Sequence, residues 1–395
     1  MLLKNCRFLV TQNDDREILE DVDVKIEGNQ IAEIGNNLHD DAIIDCSNKI
    51  VMPGLINCHT HLGMTTLRGI SDDKELEPWL KEIVDAEKKL TTEDIETGVH
   101  LGITEAIRTG TTTVLDMYDP IEPSINAATT MGMRMLAMKG YFAAHGNDMT
   151  ITLPEGNELA TVGLAPHSIY GVTEDFLKEA SAYAATKNTQ LHIHVAETRK
   201  ERVACKKKHG KLPIEYLERI GFLSEHVSLA HCIWLTKGEL DTIAKANTKV
   251  VHCPQANMKL AGGGVMPLQE MLERQIIVGL GTDSVASNNS LDMFREMHVA
   301  ALLHKHHYWS GEVAQAQTIL DMATRNGAHI TKTNTGSIQV GKLADIITLD
   351  CNDVNVQPID KERVISHIVY AANGMNVADV LINGEVRVQN KELVQ

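Results

Sequence analysis

Apolar and polar positions alternate in "VDVKIEGNQIAEIG" (22–35), with a break at Gly28-Asn29. Alternation puts every second side chain on one face of a strand, so this stretch predicts a hairpin turning at that pair. From residue 53 the pattern changes. Short, dense apolar runs occur at 54–61, 111–117, 133–142, 162–168, 191–197, 227–232, 249–254 and 276–283, separated by stretches of helical period. In "LTTEDIETGVHLGITEAIRTG" (90–110), Thr91 and Asp94 form a capping-box pattern and Gly110 supplies the stop. Eight runs alternating with helices predict a (β/α)8 TIM-like barrel over residues 53–335.

The link 143–161 departs from the rhythm. It has no helical period and contains Gly146, Pro154 and Gly156. It is long enough for a parallel crossover, which needs at least about 10–12 residues, but it predicts a reduced or missing third outer helix. After residue 335 the alternation returns in "GSIQVGKLADIITLD" and "VADVLINGEVRVQ", with a second hairpin turn at Asn383-Gly384. Residues 1–52 and 336–395 are therefore expected to form one small β-sandwich-like domain, with the barrel inserted between its halves.

Composition narrows the function classes. Lysine and arginine number 37 against 53 acidic residues, for a net charge of −16, which opposes a nucleic-acid partner. "KKK" at 206–208 reads as a solvated helix face. No apolar run is long enough to span a membrane, and the N-terminus lacks the features of a signal peptide. Seven dispersed cysteines without a C-x-x-C pair fit reduced thiols, so the expected compartment is the cytoplasm. "MGMRMLAM" (131–138) reads as core, and the sequence leaves homo-oligomerisation open.

The chemistry gathers at the ends of the predicted strands. His59 and His61 lie two apart on strand 1 and so share a face at the mouth of the barrel, where such barrels place their active sites. Two adjacent imidazoles are half of a metal site, although H-x-H alone also fits two hydrogen-bonded core histidines. Strand 5 ends with His192 and His194, and Glu197 follows; strand 6 ends in His231 and strand 8 in Asp283. Carboxylates are depleted in strands and costly to bury unless paired or metal-bound. Their convergence with the histidines therefore favours a site over packing.

These segments ("PGLINCHTHL", "APHSIY", "HIHVAET", "AHCIWLT", "HCPQANMKLAGG", "LGTDSVASNNSLDMF" and "GSIQVGKLADIITLD") resemble the amidohydrolase superfamily, in the same order and over nearly the whole chain. They are most similar to its branch of 5-methylthioadenosine/S-adenosylhomocysteine deaminases and triazine chlorohydrolases. The resemblance implies one divalent metal on His59, His61, His194 and Asp283. Zinc is the first expectation; iron and manganese suit the same ligand types. His231 and Glu197 would stand beside the metal. His192 reads as structural, because a catalytic zinc site keeps an open position. His252 is either an outer partner of the site or a plain barrel-mouth residue. The resemblance implies a single metal, because two-metal relatives carry a lysine at the end of strand 4, where this chain has "APHS" with His167.

The implied reaction is hydrolytic deamination of an adenosine-type nucleoside, a small-molecule substrate. Asp283 and His231 would accept the proton of the attacking water, and Glu197 would protonate the heterocycle. Glu87 matches the family glutamate that holds ribose hydroxyls, with a spacing from Trp79 one residue short; a solvated helix glutamate is the alternative. His167 matches a substrate-contacting histidine. Lys139 stands where relatives acting on S-adenosylhomocysteine have an arginine, and a second arginine has no counterpart in the shortened link; Arg134 nearby reads as structural. Methylthioadenosine, 5′-deoxyadenosine or adenosine are thus expected over S-adenosylhomocysteine. Hydrolysis of another N-heterocycle, such as guanine or a triazine, or of an amide is the alternative chemistry. An inactive barrel scaffold is the non-enzymatic alternative, disfavoured by the full ligand set.

Overall fold

Eight parallel strands run in sequence order around a barrel: β1 (Leu55–Thr60), β2 (Thr111–Tyr118), β3 (Arg134–Tyr141), β4 (Ala160–Pro166), β5 (Leu191–Val195), β6 (Val227–His231), β7 (Lys249–His252) and β8 (Val278–Leu280). They are seen in a computed structural model that describes residues 1–146 and 148–394. Closure comes just past the end of β8. Thr60 bridges Asp283 in parallel, and the Asp283 amide donates to the His59 carbonyl at 2.9 Å. This seam places the ends of the first and last strands side by side.

The helices follow from local signals. Before α1 (Leu76–Glu87) and α2 (Thr92–Arg108) the chain leaves β1 through a 3-10 turn, Leu62–Leu67. The capping box at α2 is present: Thr91 Oγ1 accepts the Asp94 amide at 3.2 Å, and Asp94 accepts the Thr91 amide at 2.8 Å. Gly110 follows with φ of 84°, and a Cβ there would press on Ile347 and Val377, so the stop needs glycine twice over. Among the described residues between β3 and β4 only a 3-10 turn, Ala143–His145, is helical, in line with a reduced or missing third outer helix. Helices α3 (Glu122–Met131) and α4 (Glu174–Lys187) follow β2 and β4, and the lysines at 206–208 lie exposed on the last turn of α5 (Arg199–His209).

The chain ends meet in one sheet. Strand Ile346–Asp350 pairs antiparallel with both Lys49–Pro53 and Val377–Ile382, and Phe8–Val10 adds to the same seven-stranded sheet. A four-stranded sheet of N-terminal strands packs beside it through Leu3, Val24, Ile26, Ile346 and Leu381. Both expected hairpins form, and Asn383 and Gly384 have φ of 55° and 79°, as a type I′ turn needs. All seven cysteines are buried free thiols, and no helix among the described residues is long and apolar enough to cross a membrane.

Arg134 ties barrel to sheet. Its guanidinium binds Asp345 in a buried fork, Nε to Oδ2 at 2.7 Å and Nη2 to Oδ1 at 2.9 Å, and reaches half-buried Asn383 at 3.0 Å. Removing one partner of a buried pair strands the other. Arg134→Met is therefore expected to lower unfolding free energy by about 3–5 kcal/mol, read from the midpoint of chemical denaturation; a shift near zero would show that the fork is dispensable.

Candidate metal centre and substrate cavity

Close packing of β1 on β8 builds the centre. Asn57 accepts the Thr282 amide at 3.0 Å and donates to Thr282 Oγ1 at 2.7 Å. A Cβ on Gly281 would come within 2.7 Å of the His59 Cβ, so only glycine lets the strands approach this closely. Asp283 itself is left-handed, φ 63°, as is His231 at the end of β6, φ 72°. Non-glycine residues persist there only when their surroundings hold them. Asp283 is held by the Ser284 amide at 2.7 Å and the Ser287 hydroxyl at 3.0 Å. Buried Asp116 pins the turn after β1, accepting from the Leu62 amide, Thr60 and Ser124.

Hydrogen-bond partners assign each imidazole's tautomer. A carbonyl can only accept, so His61 Nδ1 donates to Met117 O and His194 Nδ1 donates to His167 O, both at 2.7 Å. His59 is set through a chain. Ser228 Oγ donates to Leu191 O at 3.4 Å and accepts from His192 Nδ1 at 2.7 Å; His192 Nε2 then accepts from His59 Nδ1 at 2.8 Å. In these tautomers all three ligand candidates leave Nε2 unprotonated, that of His194 facing His59 and that of His61 facing Asp283. The Nε2 atoms of His59 and His194 are 3.2 Å apart, and Asp283 Oδ1 lies 3.3 Å from His59 Nε2 and 3.2 Å from His61 Nε2. These contacts are close to the roughly 3.3–3.4 Å edges of a tetrahedron with bonds near 2.0–2.1 Å, and the donors form two triads sharing His59, one with His61 and Asp283 and one with His194 and His231, a set of types that fits a divalent metal, zinc included.

His231 belongs to the second of these triads. Its ring stacks 5.4 Å from that of His194, its Nδ1 donates to Asn257 Oδ1 at 2.9 Å, and its Nε2 is 4.0 Å from Glu197 Oε1. Glu197 is aimed inward by a strained corner. Ala196 has φ of 53°, and buried Glu201 accepts both the Ala196 and Glu197 amides, at 3.1 and 3.0 Å.

Above the centre opens a cavity of about 850 Å³. Its roof is the apolar face of α1, with Leu76, Trp79, Leu80 and Ile83; its wall includes Tyr118, Phe142 and Leu260; its polar groups include Glu87, His145, His167 and Glu197. His167 stacks on Phe142 at 4.0 Å between centroids, and Glu87 Oε2 is 3.4 Å from His145 Nε2.

The amidohydrolase family profile matches residues 50–387. The chain belongs to the amidohydrolase family. It is 40% identical to the 5-methylthioadenosine/S-adenosylhomocysteine deaminase of Nitratidesulfovibrio vulgaris strain Hildenborough, over 96% of this chain and 90% of that protein. It is 38% identical to the 5′-deoxyadenosine deaminase of Methanosarcina barkeri strain Fusaro, over 98% and 92%. A zinc-bound adenosine deaminase from Xanthomonas campestris superposes with a TM-score of 0.93 at 28% identity, covering 100% of this chain and 94% of that one.

In this amidohydrolase, burial sets the charge states. It drives His59 down to about 4, against the pull of Asp283, and takes His194 well below the usual histidine range. Both imidazoles are therefore neutral and free to ligate. For Asp283 burial works upward; protonated His59 and His61 Nε2 atoms would hold the carboxyl well below the carboxylate range, and in the tautomers above its donors are the Ser284 amide and the Ser287 hydroxyl. Glu197 moves the other way: its enclosure raises it, only partly opposed by His231. The two carboxyls of the centre are thus pushed apart.

Most expected site residues meet here: His59, His61, His194, His231, Asp283 and Glu197 converge, while Glu87 and His167 line the cavity. Lys139 does not. Among the described residues it is absent from the lining; its Nζ donates to Thr152 Oγ1 at 3.0 Å and sits over the Tyr141 ring. The helix-free link folds back on the end of β3 and takes the ammonium, so Lys139, expected as a substrate contact, is held here by Thr152. His252 pairs with His304, Nε2 to Nε2 at 3.1 Å, rather than with the converging groups. Sequence reasoning missed His145, Phe142 and Tyr118 in the cavity, and Ser228 and Asn257 behind the histidines. Only the aromatic and histidine content of "YFAAHGN" hinted at the first two.

His192 stands behind His59, not at the centre. Such outer partners are worth 10–100-fold in metal affinity. His192→Phe is expected to weaken zinc binding by about that factor in a chelator competition, with the fold retained; unchanged affinity would show that the relay does not set the His59 tautomer.

Proposed function

We propose that this protein is a single-metal hydrolytic deaminase of adenosine-type nucleosides, with His59, His61, His194 and Asp283 as ligands and zinc as the ion. The observation that supports this is the gathering of His194 Nε2 and Asp283 Oδ1 at 3.2 and 3.3 Å from His59 Nε2, with His61 Nε2 at 3.2 Å from the same Asp283 oxygen, beside a cavity of about 850 Å³. When bound, a divalent cation supplies Lewis acidity, bringing the pKa of water at the centre from 15.7 toward about 7.

The chain supplies the rest. Asp283 and His231 take the proton from the attacking water, with Asn257 fixing the His231 tautomer so that Nε2 is the base. Glu197, raised by its enclosure, keeps a proton to place on the ring nitrogen beside the attacked carbon. The tetrahedral adduct then loses the amine as ammonia, which leaves with a proton returned through the same carboxyls. The apolar roof excludes bulk water. Glu87 accepts hydrogen bonds from the ribose hydroxyls, and His167 contacts the base. We assign residues 53–335 to this catalytic barrel and residues 1–52 with 336–395 to the composite β-domain. The seven free thiols support a reducing compartment, the cytoplasm.

The lining favours an uncharged 5′ substituent. Among the described residues it contains no lysine or arginine, so a zwitterionic amino-acid tail would lose water without gaining a clamp. Ammonia release is expected from 5-methylthioadenosine, 5′-deoxyadenosine and adenosine, with kcat/KM for methylthioadenosine at least about tenfold above that for S-adenosylhomocysteine, a difference of about 1.4 kcal/mol. No ammonia from any of the four would overturn the function. Equal turnover of the thioether and the homocysteine derivative would overturn the preference alone.

A further inference from the structure

A second cavity, about 820 Å³, lies at the other end of the barrel. The helix Arg325–Thr331 sits there against the N-terminal ends of the strands. Asn326 donates to the carbonyl of Val278, the first residue of β8, and Lys332 Nζ lies 2.9 Å from Nδ1 of His226, which immediately precedes β6. The two cavities share no lining residue.

Its charge runs against the composition of the chain. On a molecule of net charge −16, this cleft gathers Arg325, His329, Lys332 and Lys342, with Asp14 as the only acid in its lining among the described residues. Asp14 is already held by Arg325 at 2.6 Å. Lys342 makes no side-chain hydrogen bond or ion pair among the described residues, while Thr333 and Thr335 add hydroxyls 2.8 Å apart. The cations also act on one another. Burial, then Arg325, Lys342 and Lys249, push His329 below its ordinary value, and burial with Lys332 does the same to Lys249. Arg325 is paired with Asp14 and half-buried like Lys342, while His329 and Lys332 are exposed; like charges gathered along one concave wall repel one another, and an anion would relieve that repulsion.

We propose that this cleft binds a polyphosphate anion, of the pyrophosphate or nucleoside polyphosphate class, at a site separate from the catalytic centre. Two lysines and an arginine match several phosphate oxygens at once, the threonine hydroxyls donate to the remainder, and the volume exceeds what one phosphate fills. His329 would take up a proton as the anion settles.

The test is calorimetric titration of the full-length, metal-loaded enzyme with pyrophosphate and with adenosine triphosphate at fixed ionic strength. The same titrations on K332A/K342A control for any draw on the metal. Saturable binding at one per chain is expected, weakened at least tenfold in the double variant, whose deaminase rate without anion is unchanged. A difference between the two anions separates a bare polyphosphate site from a nucleotide site. Non-saturable binding, or equal binding by both proteins, overturns the proposal. Should the double variant fail to fold, the wild-type His329 ring proton decides: pyrophosphate must raise its titration midpoint, and an unmoved midpoint overturns the proposal.

Discussion

Asp283→Asn is expected to strip the centre of metal and lower kcat by at least about 10³-fold, or about 4 kcal/mol of barrier. The replacement keeps the shape and the oxygen that accepts the Ser284 amide, so the strand-end turn survives. What it removes is charge. Three neutral imidazoles and one carboxylate leave a divalent centre near +1; without the carboxylate a buried double charge faces His59 and His61 uncompensated. Metal content by elemental analysis and turnover on methylthioadenosine should fall together. Full metal occupancy with near-normal turnover would remove Asp283 from both its roles.

The second large effect separates chemistry from metal binding. Glu197→Gln is expected to keep full metal content and to lower kcat by about 10²–10⁴-fold, the range for losing a positioned acid. The pH profile carries the sign. Enclosure raises the Glu197 carboxyl, so its proton is present below that raised value and is lost as pH rises through it. Wild-type kcat/KM should therefore decline on the alkaline side, and the variant's residual activity should lack that limb. A variant whose limb is unchanged would assign the acid to another group. With the Asp283 result, metal content and pH profile distinguish the two carboxyls.

Much of this centre was legible because strand periodicity is local. A two-residue spacing on a buried strand puts His59 and His61 on one face whatever surrounds them, and eight alternating runs fix which ends meet. The capping box at Thr91, the turn at Asn383-Gly384 and the helix-free link were readable for the same reason: each depends on a few neighbouring residues. Lys139 shows the limit. Its strand was found, but the fate of its ammonium depended on Thr152, in a segment with no period to read. His145 came from that same link and entered the cavity beside Glu87.

The sequence by itself determined the barrel, the joining of the chain ends and the donor types at the strand ends, because apolar period and turn chemistry act over a few residues. Tertiary structure decided the rest: the tautomer of His59 through His192 and Ser228, the neutral state of His194, the raised carboxyl of Glu197, and the cationic cleft under the barrel. Those properties arise from burial and from partners tens to hundreds of residues away, and no local pattern records which side chains will be desolvated together.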